Sequence, residues 1–189
     1  MNPTPDRRTQ ELIARQTWAK ENLPQKIVAA LALKLTAGEQ KYVARKETKN
    51  IEAYDAFLKG WEHYRRFTPD DFAKACSYFE KALDLEPNYW RAYAALAQTY
   101  WRGLELGWRW QMGLGVGWSE GRILARNYLE KAMKHPTSLA HQVASAINLF
   151  RRQYDKAVYE ANQAIALDPN DYRAHWIMAW TLIYVGKSE

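Results

Sequence analysis

Apolar residues recur along this chain at three- and four-residue spacing, the period of helices with one buried face. In "LPQKIVAALALKLT" the side chains of Ile27, Val28, Leu31 and Leu35 fall on one face, and "DRRTQELIARQTWAKEN" before it is more weakly amphipathic. From residue 51 the pattern becomes a series of helix pairs. "EAYDAFLKGWEHYRRF" predicts a first helix, and "TPDD" at Thr68–Asp71 a long turn with an N-cap and a proline at the first helical position. "FAKACSYFEKALDL" predicts the partner helix. A further helix ends near Arg102, and "SEGRILARNYLEKAMK" supplies its partner, with Ala125, Leu129 and Ala132 at small, large and small positions. A third pair fills Thr137 to Asn170, and a last helix runs from Tyr172 to about Val185, with Gly186 as its C-cap. No segment reads as a strand, so the expected class is all-α.

Two segments betray an internal repeat: "FEKALDLEPNYWRAYAALAQTY" and "ANQAIALDPNDYRAHWIMAWTL". Each is a helix, then Leu-x-Pro-Asn, then a second helix. Aligning Pro87 with Pro169 also aligns Ala82 with Ala164, Ala75 with Ala157 and Tyr93 with His175. Small residues (Gly60, Ala75, Ala82, Ala97, Ala157, Ala164) let two helices approach, and large ones (Phe79, Tyr93, Leu96, Tyr100) fill the space between them. The pattern resembles the tetratricopeptide repeat, a helix–turn–helix unit of about 34 residues. Its first helix is best matched by Tyr93, Leu96, Ala97 and Tyr100, and its second by Ala75, Phe79 and Ala82 with Pro87, and by Ala157, Ala161 and Ala164 with Pro169. The third unit departs from the pattern: His141, Ala144, Ser145 and Asn148 stand where Tyr, Leu, Gly and Tyr are expected. The resemblance implies a right-handed solenoid of antiparallel helix pairs. Its units span 51–88, 89–136 (with an insertion at 103–121), 137–170 and a partial 171–189, preceded by N-terminal helices in 1–50 that act as a cap or a linker. The last helix lacks a partner, which leaves an apolar face uncovered and suggests a fragment or cover from another chain.

The order of segments from about Gln25 onward, through Leu35, Thr36 and Glu39, then Glu52, Ala53 and Tyr54, then Leu58 and Gly60, looks like the region that follows the catalytic domain in many bacterial class III adenylate/guanylate cyclases. That resemblance implies a regulatory or scaffolding role in signalling, next to an attached catalytic domain. It implies no cyclase activity in this chain, where no strands offer paired metal-binding aspartates.

Charge and composition narrow the partners. The net charge is +6, but the basic residues are dispersed among acidic ones, and only Arg7–Arg8 and Arg45–Lys46 are adjacent in the basic N-terminal third. That describes solvated helix faces and not a nucleic-acid footprint. The single cysteine, Cys76, permits no internal disulfide and fits a reducing compartment. Met1 to Thr9 has no apolar stretch of a secretory leader, and the longest apolar run, Ile27 to Leu35, is far short of a membrane span, so a cytoplasmic location is expected.

The first helices of the pairs line the concave face of such a solenoid. By register that groove shows Tyr54, Phe57, Trp61 and Tyr64, then Arg91, Ala94, Gln98, Trp101 and Arg102, then Leu139, Gln142, Ala146, Leu149 and Phe150, then Arg173, Trp176, Trp180 and Tyr184. Exposed aromatics with arginine are what peptide-binding hot spots use. The alternative is that some of them pack against the N-terminal helices or a neighbouring domain. The carboxylate clamp of chaperone-tail receptors in this family is absent: Phe57, Trp61, Ala95, Leu139 and Val143 hold its positions. The insertion interleaves Trp108, Trp110 and Trp118 with six glycines and reads as a loop over the groove, a membrane-surface loop, or a plug for the solenoid. His63, His135, His141 and His175 fall at no metal-ligand spacing, and no nucleophile–base pair stands out, so neither a metal, a cofactor nor catalysis is expected. The expected function is a non-catalytic module for a protein or peptide partner; a homodimerisation element is the alternative.

Overall fold

The computed structural model describes Thr48 and residues 50–186. Among these residues there are eight helices and no strand: α1 (Ile51–Arg66), α2 (Pro69–Leu85), α3 (Trp90–Leu106), α4 (Trp108–Leu114), α5 (Trp118–Ala132), α6 (Ser138–Phe150), α7 (Tyr154–Leu167) and α8 (Tyr172–Val185). The expected N-terminal helices lie outside the described residues.

Local chemistry sets the helix starts. Asn50 accepts from the backbone N–H groups of Glu52 and Ala53, while its amide donates to the Leu85 carbonyl at 3.0 Å, tying the start of α1 to the end of α2. Thr68 caps α2 through the Asp71 N–H, with Pro69 at the first helical position. "TPDD" is therefore mostly helix. Only Phe67 and Thr68 separate α1 from α2, and the long turn read from the sequence is not there. Thr137 caps α6 and Asp171 caps α8 in the same manner. Gly186 closes α8 at φ 71°, a left-handed conformation that glycine adopts without steric cost.

The two Leu-x-Pro-Asn turns are structural copies. Glu86 and Asp168 end α2 and α7 with φ/ψ of −142°/92° and −144°/88°. Their N–H groups donate to Ala82 and Ala164, respectively. Tyr89 then donates to Glu86 as Asp171 does to Asp168, and Ala92 to Tyr89 as Ala174 does to Asp171. The sequence repeat is thus also a repeat of backbone geometry.

Helices pack mainly with their neighbours along the chain: α1 with α2, α3 with α5, and α6 with α7, while α2 meets α3 and α7 meets α8. The helix α3 is central, touching α2, α4, α5 and α6, and its Ala92, Ala94, Ala95 and Ala97 are wholly buried. The small positions named from the sequence (Ala75, Ala82, Ala97, Ala157, Ala164) have no exposed surface, and Phe79 and Leu96 are as fully buried. Replacing Ala82 or Ala164 by leucine inserts three heavy atoms where there is no space. Each change is expected to cost about 1–3 kcal/mol, read as a lowered urea midpoint with unchanged slope. A midpoint equal to the parent's would show that these contacts tolerate volume.

Two histidine–carboxylate pairs each pin the two helices of a pair together. His63 Nδ1 lies 2.8 Å from Asp71 Oδ1 between α1 and α2, and His141 Nδ1 lies 2.5 Å from Glu160 Oε2 between α6 and α7. Sequence reading assigned the acidic residues to solvated faces; these two are mostly buried because the facing helix brings a histidine to them. At the far end, α8 is anchored by hydroxyls. Ser145 Oγ donates to the Ala157 carbonyl at 2.9 Å, and Thr181 Oγ1, bonded to the Ile177 carbonyl at 2.7 Å, lies 3.2 Å from Ser145.

Candidate functional site

The insertion departs from expectation as well. Instead of ending near Arg102, α3 continues to Leu106, and Trp108–Leu114 form the short helix α4, packed on α2 and α3. The glycines divide into two physical roles. Gly107 and Gly115 take positive φ (96° and 68°) where the chain turns into and out of α4. Gly103, Gly113 and Gly121 permit contact. A Cβ on Gly113 would lie 2.5 Å from the Pro69 carbonyl oxygen, on Gly103 2.5 Å from Leu114 Cδ1, and on Gly121 2.9 Å from Leu104 Cδ2. Trp110 is half-buried against Phe67, ring centroids 5.9 Å apart, with its indole N–H enclosed and unpaired. Trp118 is exposed, beside the Phe150 ring at 6.3 Å. The segment is packed helix and not an irregular loop.

The predicted groove residues separate into a filled part and an open part. Phe57, Trp61 and Trp101, expected on an exposed surface, are buried, Trp61 with only 6 % of its surface accessible. Phe57 and Trp61 pack edge to ring at 6.1 Å, and both meet Phe79 of α2, at 5.7 and 5.6 Å. They are core residues because α1 is thin at Gly60, which brings α2 close enough for Phe79 to touch both rings. Trp101 is held by α3 itself, its indole N–H donating to Glu105 at 2.9 Å. Tyr54, one turn before Phe57, stays exposed.

Arginines from repeat-equivalent positions close this part. Arg91 of α3 lies over the Phe57 ring at 5.3 Å, and Arg173 of α8 over the Trp61 ring at 4.8 Å. Gln98 donates to the Tyr64 hydroxyl at 3.2 Å while its own carbonyl oxygen is enclosed and unpaired. Burial pushes the Tyr64 phenol above its ordinary value, against the Gln98 hydrogen bond and the positive charges of Arg102 and Arg173. Arg102 is itself paired with Glu105 at 2.9 Å.

The open part lies on α8. Ala174, Ile177 and Thr181 are buried, while Trp176, Trp180 and Tyr184 keep 52 %, 42 % and 57 % of their surfaces. The two tryptophan rings stack at 5.6 Å with 10° between their planes, and Tyr184 continues the ladder at 5.3 Å from Trp180. Tyr172 and Ile183 of the same helix are also exposed.

No protein-family model matches this chain, and no curated protein matches it either.

On the second helices, Tyr128 of α5 stacks on Tyr100 at 5.8 Å and reaches Glu80 of α2 at 3.4 Å. Burial pushes Tyr128 up to about 12, and it raises Glu80 as well. Cys76 is buried beside this cluster, and burial raises its thiol well above the ordinary value, so it is an unreactive core residue. Among the described residues no group of His, Cys, Asp and Glu side chains is arranged to hold a metal ion, and no helix is long and apolar enough to cross a membrane.

Proposed function

We propose that this chain is a tetratricopeptide-type helical-repeat module, non-catalytic, that binds a protein or peptide partner as a regulatory or scaffolding part of a cytoplasmic, cyclase-type bacterial signalling protein. The observation that carries the binding reading is the Trp176–Trp180–Tyr184 ladder. Three large aromatics half-exposed on one helix stripe are the side chains most enriched at interaction hot spots. The duplicated Leu-x-Pro-Asn turns and the neighbour-by-neighbour packing support the repeat reading. The signalling context rests on the order of sequence segments alone.

The test is affinity capture from a lysate of the source organism with the parent chain and with Trp176→Ala/Trp180→Ala, read by mass spectrometry. Both tryptophans are surface residues, so the variant should keep the parent's circular dichroism. Trp61→Ala is unsuitable because it opens the core. A protein held by the parent and released by a still-helical variant is the expected result; identical capture by both chains would sink the reading. The apolar surface of α8 also favours a second reading, pairing of two copies through this helix. Sedimentation velocity decides it, since a dimer abolished by the same variant is what pairing requires.

A further inference from the structure

The carboxyl ends of α1, α3 and α6 meet. Arg102, near the end of α3, lies over the Phe67 ring that closes α1, at 5.9 Å. Phe150, the last residue of α6, packs edge to ring on Trp101 of α3 at 5.5 Å. The insertion joins the same end, with Trp110 of α4 at 5.9 Å from Phe67 and Trp118 of α5 at 6.3 Å from Phe150. Contacts also orient α4. Trp110, Gly113 and Leu114 pack inward, on Phe67, Pro69 and Gly103, and this leaves Arg109 and Met112 exposed on the opposite side.

This end interleaves apolar side chains with cations. Phe67, Trp118 and Phe150 are roughly half-exposed, and Met112 keeps 70 % of its surface. Arg65, Arg109, Arg151 and Arg152 are exposed and form no ion pair among the described residues. Arg122 lies over the Phe150 ring at 5.9 Å, so its guanidinium stands beside an exposed aromatic edge. Nearby carboxylates are already engaged: Glu62 by Arg66 at 2.6 Å, Glu105 by Arg102 at 2.9 Å, and Asp71 by His63 at 2.8 Å. Asp70 and Glu120 sit in the first turns of α2 and α5, where the helix dipole offsets their charge. Two of the turns also carry their outward residue against a backbone preference. Phe67 (φ 56°) and Arg152 (φ 58°) are the non-glycine residues in left-handed conformation among those described, and a bulky side chain there is disfavoured.

We infer that this end of the helices docks on an anionic phospholipid surface, with Met112, Trp118 and Phe150 entering the boundary between headgroups and acyl chains and Arg109, Arg151 and Arg152 on the lipid phosphates. Only at that boundary does a layer of phosphate lie directly against a layer of hydrocarbon, so alternating cations and apolar tips are both satisfied. Arginine suits the phosphates through its fork of N–H donors. A protein interface instead gathers its apolar side chains at a centre depleted of charge. A nucleic acid backbone would leave Met112 and Phe150 without apolar cover. This inference does not depend on the α8 ladder or on its partner.

Co-sedimentation of the full chain with vesicles tests it. The probes are vesicles of equal parts phosphatidylcholine and phosphatidylserine, beside vesicles of phosphatidylcholine alone. The parent should bind the first and not the second, and binding should weaken as salt is raised. Arg109→Glu/Arg151→Glu and Met112→Ser/Trp118→Ser change exposed residues and should keep the parent's circular dichroism. Each should bind the anionic vesicles at least about tenfold more weakly. No binding by the parent, or equal binding to both vesicles, overturns the inference without any variant. Parent-like binding by both double variants overturns it too. Binding lost in Trp176→Ala/Trp180→Ala but kept in these variants would move the lipid surface to α8. Retention of the parent on heparin without vesicle binding would assign the arginines to a soluble polyanion. Either result would sink the inference.

Discussion

Phe79→Ala is expected to lower the folding free energy by about 3–5 kcal/mol, the cost of removing a fully buried aromatic ring and leaving its cavity. The ring is enclosed by Phe57 at 5.7 Å, Trp61 at 5.6 Å and the backbone of α1 at Gly60. A Cβ on Gly60 would lie only 2.4 Å from Phe79 Cε1, so ring and notch fit one another. Loss of the ring cannot be repaired by sliding α1 inward, because the indole and the Phe57 ring already hold the two helices apart. The coupling is testable in a double-mutant cycle. Gly60→Ala should destabilise the parent, yet be tolerated better in the Phe79→Ala background, where its methyl group has room. Urea denaturation followed by circular dichroism measures all four chains. A loss below about 1 kcal/mol for Phe79→Ala would show that the ring is not a keystone of the α1–α2 contact.

Gly113→Ala should act locally and strongly, releasing α4 from the start of α2. The added carbon would lie 2.5 Å from the Pro69 carbonyl oxygen and 2.6 Å from Pro69 Cβ. Neither neighbour can rotate away, since one is backbone and the other belongs to a fixed ring at the first turn of α2. The overpacking cost of about 1–3 kcal/mol exceeds the roughly 0.5–1 kcal/mol that alanine gains over glycine within a helix. A helix of seven residues cannot persist without its docking contacts. Hydrogen exchange should show residues 108–114 losing most of their protection while α6 and α7 keep theirs. Parent-like protection across 108–114 would show that the Gly113–Pro69 contact does not hold α4.

Much of the helical architecture was legible before any coordinates. Ala75, Ala82, Ala157 and Ala164 mark the close contacts, since alanine recurring at the same step of a repeat, on the apolar face of a helix, advertises a neighbour at contact distance. Pro87 and Pro169 mark the turns, and Thr68 and Gly186 two of the caps, because these act within a few residues of themselves. The insertion was misread for an equally physical reason. Glycine carries no sign of whether it serves left-handed backbone, as at Gly107 and Gly115, or a close approach, as at Gly103, Gly113 and Gly121. The second role depends on which distant residue arrives.

The candidate surface divides in the same way. Register placed Arg173, Trp176, Trp180 and Tyr184 on one stripe of a helix, and helical period alone determines that. It could not say that Phe57 and Trp61, assigned to the same groove, are buried against Phe79 and capped by Arg91 and Arg173. Helix period, small-residue notches, caps and the repeated turn belong to the sequence, since each is fixed by steric and hydrogen-bonding preferences over a few neighbouring residues. Only the tertiary structure decided which aromatics became core and which stayed half-exposed on α8. That outcome depends on how helices far apart in the chain meet, and no local pattern encodes that meeting.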